Sequence, residues 1–64
     1  MEENVRELLE VILHERMKAK ATLEELRFME ETNIKKSYQK EINLCLDRLK
    51  ELDDLYNEIK NSYN

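Results

Sequence analysis

Histidine, cysteine and clustered carboxylates are the side chains best able to do chemistry in this chain, and their spacing narrows what that chemistry is. His14 is the sole histidine. A carboxylate-bridged di-metal centre in a helical bundle requires Glu-x-x-His twice, whereas here Glu10 lies four residues before His14 and Val11 occupies the required place. Cys45 is the sole cysteine, so one chain assembles no Cys/His set of zinc-ligand spacing and no internal disulfide. A Cys45–His14 nucleophile pair would need an interface to bring it together, and a thiol on an apolar helix stripe is ordinarily inert core. The chain has no glycine, which removes phosphate-cradling loops. His14 is therefore expected on a solvated face. No catalytic residue, metal ligand or cofactor is assigned, and the protein is read as a non-enzyme.

The remaining candidates are acidic. Glu51-Leu52-Asp53-Asp54-Leu55 resembles the acidic-leucine segment in the second helix of small bacterial sporulation phosphatases that act on aspartyl-phosphate. Lys50 stands where a serine-containing motif of that family would begin. The resemblance implies a helical hairpin and, through the Asp47, Asp53 and Asp54 region, a regulator of signalling phosphotransfer or an acyl-phosphate phosphatase. The residues read by themselves place these aspartates on a solvent face, alternating with Arg48 and Lys50.

What positions all of these is helix. The chain has 64 residues, with 41% hydrophobic and 41% charged residues, few aromatics, and neither glycine nor proline. That balance belongs to long amphipathic helices, and the supply of Leu, Ile and Val sets it apart from disorder. One small domain is the most such a length builds, with a modest core. The net charge is −4, and acids and bases are interspersed. A nucleic-acid surface needs a coherent basic stripe; Arg16 to Lys20 and the Lys35, Lys36, Lys40 group are each bordered by glutamates. The longest apolar run near the start, Val11-Ile12-Leu13, is far short of a signal-peptide core or a membrane span. Together with the unpaired cysteine, this leads us to expect a cytoplasmic protein that does not enter a membrane.

From Tyr38 onward apolar residues alternate at spacings of four and three. Ile42, Leu49, Tyr56 and Tyr63 take heptad a positions, and Tyr38, Cys45, Leu52 and Ile59 take d positions, a coiled-coil seam. Leu46 and Leu55 flank the seam at e and g, giving it the width of a bundle helix. The first half carries Val5, Leu8, Leu9, Ile12, Ala19, Leu23 and Leu26 on one face, interrupted by Glu15 and Thr22 at d positions, while Leu13, Met17, Ala21 and Phe28 form a second line on nearly the opposite side. Two apolar faces call for two sets of neighbours. The three tyrosines of the second stripe fill bundle ends, where a hydroxyl reaches water.

The stretch Glu30 to Gln39 decides the architecture. Continued past Leu26, the first stripe would put Asn33, Lys40 and Asp47 in the core, whereas the second half uses Ile42 and Leu49. An unbroken helix would need its buried face to swing by roughly 80° there, at about 100° per residue. Charge order opposes a break, because Glu30 and Glu31 would sit at a helix C-terminus and Lys35 and Lys36 at an N-terminus, while Glu31 and Lys35 would pair at i,i+4 in a continuous helix. Thr32, Asn33 and Ser37 supply capping residues, with Asn33 suited to a C-cap and Ser37 or Asn33 to capping the second helix.

The sequence thus predicts one all-α domain over residues 1–64. It is an antiparallel helical hairpin, with helix 1 at about 2–31, a turn at about 32–36 and helix 2 at about 37–63; a long continuous coiled-coil helix is the alternative. A scaffold below about 70 residues without disulfide or metal seldom folds on one core alone. Self-association into a four-helix bundle, most simply as a homodimer, is therefore expected. The interaction residues so assigned are Val5, Leu8, Leu9, Ile12, Leu13, Met17, Leu23, Leu26, Phe28, Ile42, Cys45, Leu46, Leu49, Leu52, Leu55, Tyr56 and Ile59. The expected function is a protein–protein interaction module or regulator that binds itself and a partner protein; phosphotransfer regulation and a nucleic-acid-associated bundle dimer are the alternatives.

Overall fold

The computed structural model describes residues 2–32 and 37–62. Two helices, α1 (Glu3–Thr32) and α2 (Gln39–Ser62), pack against each other as an antiparallel hairpin, with no strand among the described residues. The Asn33 C-cap, the Glu31–Lys35 pair, most of the expected turn and the a position at Tyr63 lie outside the described residues. The radius of gyration is 15.0 Å and the extents are 50 × 14 × 10 Å, against about 11 Å for a compact domain of this length. The long dimension is that of one straight 30-residue helix, at about 1.5 Å per residue.

Two polar contacts fix the register. Arg16 Nε donates to Asp53 Oδ1 at 2.6 Å, and the Tyr38 backbone N–H donates to Glu30 Oε2 at 3.1 Å. In that register Leu23 lies level with Cys45, Leu26 with Ile42, Ala19 with Leu49, Arg16 with Leu52 and Leu9 with Ile59. Among the described residues, those buried are Val5, Leu9, Ile12 and Leu23 on α1 and Ile42 and Leu52 on α2. Cys45, Leu49, Tyr56 and Ile59 are half-buried between them. The α2 seam therefore follows the heptad positions that its spacing predicts.

On α1 the seam departs from the expected face by one position. It runs through Val5, Leu9, Ile12, Arg16, Ala19, Leu23, Leu26 and Glu30, while Leu8 and Thr22 are exposed. Leu8 and Leu9 compete for the same turn. Taking Leu9 brings Leu23 into the core with it, whereas taking Leu8 would bring Thr22. The chosen alternation carries Arg16 and Glu30 into the seam, and each finds a polar partner there. The Thr22 hydroxyl, left outside, donates to the Lys18 carbonyl at 3.0 Å, which satisfies it within its own helix.

Glu30 also answers the charge order that opposed a break. A carboxylate in the last turn of α1 is unfavourable to that helix's dipole, but its oxygen accepts the N–H of Tyr38 at the start of α2. It thereby serves the positive end of the next helix. The Tyr38 carbonyl accepts from Ile42 N at 2.8 Å, and Ser37 Oγ accepts from Gln39 N at 3.3 Å. Tyr38 is thus the cap residue, flanked by the Ser37 hydroxyl and the Glu30 carboxylate. At the other side of the junction, Thr32 Oγ1 donates to the Phe28 and Met29 carbonyls at 3.0 and 3.2 Å, which satisfies the hydroxyl within its own helix. The first turn of α2 holds Glu41 and its last turn Lys60, both in accord with its dipole. Glu30→Ala should lower stability by about 0.5–2 kcal/mol, the range for losing a helix cap. A thermal melt of that variant matching the parent would remove the carboxylate's capping role.

Candidate interaction surface

The hairpin has a seam and two lateral faces, and the assigned interaction residues divide among them. Val5, Leu9, Ile12, Leu23, Ile42 and Leu52 are buried in the seam, with Leu26, Cys45, Leu49, Tyr56 and Ile59 half-buried. They hold the two helices of one chain together. Leu8, Leu13, Met17, Phe28, Leu46 and Leu55 are exposed, Met17 at 69% and Phe28 at 64%. Val11 and Leu44, which the sequence reading did not assign, are exposed as well. For Val11 the signal was available, since it lies one helical turn from Leu8, whereas Leu44 has no assigned flank residue within a turn of it.

Helix geometry sorts these side chains. In an antiparallel pair, the position just before an a residue lies on the same side of both helices, and the position just after a d residue lies on the other. One lateral face therefore carries Leu8 and Met29 from α1 and Leu55 from α2, with Val11 and Leu44 on its outer edge. The opposite face carries Leu13, Met17 and Leu46. Phe28 lies on the back of α1, away from both.

Charge distinguishes the faces. Counting the positions beside the seam and those just outside them, the Leu13–Leu46 face presents Arg6, Lys20, Arg27, Lys50 and Lys60 balanced by Glu3, Glu10, Glu24, Glu31 and Asp53. The face with Leu8 and Leu55, counted the same way, presents Glu15, Glu25, Glu41, Glu51 and Glu58 with only Lys18 and Arg48. Lys18 Nζ lies 3.1 Å from Glu15 Oε1, an i,i+3 pair, and such an exposed contact contributes well under about 1 kcal/mol.

Arg16 and Asp53 are the one ion pair between the helices among the described residues. Their side chains keep 41% and 48% exposure, so solvent screens the attraction and its stabilisation is about 0.2–1 kcal/mol. The larger consequence is for register. A guanidinium in the Leu52 layer finds its carboxylate only when Asp53 is alongside, and a slip of α2 by one turn would put Lys50 or Asn57 in that place.

The acidic candidates are dispersed. Asp47 and Asp54 are exposed, and Asp53 is engaged by Arg16. Among the described residues no three His, Cys, Asp or Glu side chains group as a metal site would, and no cavity is enclosed. His14 is exposed on α1 and Cys45 is half-buried in the α2 seam. Lys60 Nζ lies 6.0 Å from the Tyr56 ring centroid, at the outer reach of a cation–π contact. Among the described residues, no helix is long and apolar enough to cross a membrane.

Comparison with known proteins found no matching family model, no similar curated protein and no similar solved structure.

Proposed function

We propose that the hairpin is a protein–protein interaction module that associates with a second copy of itself and, in that form, binds a partner protein, working by occlusion or scaffolding and not by catalysis. The observation that carries this reading is the apolar surface left outside the seam. Leu8, Val11, Leu44 and Leu55 on one lateral face, and Leu13, Met17 and Leu46 on the other, are all exposed. Large apolar side chains repeated along two sides of one small chain mark surfaces for another molecule to cover. Among the described residues the seam buries six, none of them completely, a small core for a chain whose one cysteine makes no internal disulfide. Closing one face against a second hairpin gives four helices around a shared interior, the simplest symmetric solution. The other face is then open to a partner. The spread of acids and bases and the single cysteine fit a protein working in the cytoplasm.

Sedimentation equilibrium across the low micromolar range tests the first step. A dimer mass is expected, with circular dichroism reporting intact helix throughout. A folded monomer at every concentration would refute self-association and leave the apolar faces to the partner alone.

A further inference from the structure

The face bearing Leu8 and Leu55 has a pattern that the opposite face lacks. Consider a two-fold axis lying across this face, perpendicular to the helices, so that a second hairpin meets the first upside down with α1 on α1 and α2 on α2. On α1, Leu8 then falls opposite Met29 of the second copy if the axis crosses midway between them, between Lys18 and Ala19. On α2, Leu44 falls opposite Leu55 of the second copy if the axis crosses between Leu49 and Lys50. The same α2 crossing sets Arg48 opposite Glu51 of the second copy.

These midpoints are independent properties of two different helices. The hairpin's own register, fixed by Arg16–Asp53 and Glu30–Tyr38, places Ala19 level with Leu49. Both midpoints therefore lie at one height, and one axis satisfies all three pairings. Each pairing occurs twice in a closed dimer, as an isologous interface requires. Leu8, Leu44 and Leu55 are exposed in the single hairpin, as are Arg48 and Glu51, and Met29 is half-buried.

We infer that this face docks a second copy of the chain, antiparallel about that axis, with apolar contacts above and below a central pair of reciprocal Arg48–Glu51 ion pairs. The inference rests on the self-association proposed above and assigns it a face, a symmetry and a register. The lateral outline of the hairpin, 50 × 14 Å between Cα extremes, is sufficient for one side of a standard interface, on the order of 800 Å² per partner. The opposite face suits a copy of itself less well. On that face α2 offers a single apolar flank residue, Leu46, and an axis that sets it against its own copy puts Leu13 opposite Glu31 and Met17 opposite Arg27 of the second copy. Among the α2 charges of the docking face, the axis makes one like-charged apposition, Glu41 with Glu58 of the second copy, towards the ends.

A charge swap read by sedimentation equilibrium on the full chain tests the docking mode, with circular dichroism confirming helix content in each variant. Arg48→Glu and Glu51→Arg should each weaken the dimer roughly tenfold, because each places like charges opposite one another twice. The two substitutions together restore the opposite-charge pairing and should return the dissociation constant to within about threefold of the parent. Glu58→Lys should tighten the dimer, by converting the repulsive apposition into an attractive one. A swapped double variant no tighter than either single variant would overturn the inference. So would dissociation by Leu13→Lys or Leu46→Lys with Arg48→Glu silent: self-association would stand, but through the opposite face. A parent chain monomeric throughout would remove both the docking mode and the self-association on which it rests.

Discussion

Leu52→Ala should remove about half of the hairpin's stability and lower its melting midpoint well below that of Leu49→Ala. Both residues sit on the α2 seam, but Leu52 is 4% exposed while Leu49 is half-buried. Truncating a buried leucine costs about 2–5 kcal/mol, the removed transfer free energy plus the cavity left behind. The total stability of a chain this size is about 3–10 kcal/mol at the usual value per residue. One such loss therefore removes roughly half of it. The site at Leu52 also collapses poorly, because the opposing layer holds Arg16, whose guanidinium is committed to Asp53; water entering there would still meet an apolar wall. Leu49 faces the Ala19 layer with solvent already alongside, so its truncation belongs at the lower end of the same range. Thermal melts at one fixed chain concentration decide this, since association would shift the midpoint with concentration. Equal midpoints for the two variants would mean that the seam is centred elsewhere on α2.

The difference between the two helices also explains how much of the fold could be read beforehand. On α2 the four-and-three alternation from Tyr38 to Ile59 is unbroken and no second alternation competes with it, so spacing alone identifies its inner face. On α1 two alternations are offered, one through Leu8 and Thr22 and one through Leu9 and Leu23, and each carries charged residues. Spacing cannot choose between them because the choice depends on what the partner helix provides for Arg16 and Glu30. Asp53 and the Tyr38 N–H are those provisions, and they become visible only when α2 is laid antiparallel beside α1. The break was legible from the slip between the stripes. The charge argument against it failed at Glu30, since a last-turn carboxylate that is unfavourable to its own helix becomes a cap when the next helix starts beside it. The apolar flanks could be found from spacing one residue at a time, but their grouping into two faces of different charge required the hairpin register.

Labels at Glu3 and Asn61 should report a short separation within one chain. The hairpin brings Asn61 to within about one turn of the height of Glu3, and packed helix axes lie about 8–10 Å apart, so the backbones should be on the order of 10–15 Å from one another. In one straight helix the same residues would be about 87 Å apart at 1.5 Å per residue. Cysteines placed at these two positions in a Cys45→Ser background carry the labels without modifying the seam. The comparison needs labelled chains diluted into unlabelled ones, because two straight helices pairing antiparallel would also bring Glu3 of one close to Asn61 of the other. In the docking mode inferred above, Glu3 of one hairpin and Asn61 of the second copy are instead separated by about 40 Å along the bundle, from the same rise per residue. Three arrangements therefore give three patterns. A short distance that survives dilution belongs to the hairpin, and a short distance that vanishes on dilution belongs to paired rods. A hairpin distance joined, in undiluted samples, by a second population near 40 Å belongs to two hairpins packed antiparallel about the two-fold axis.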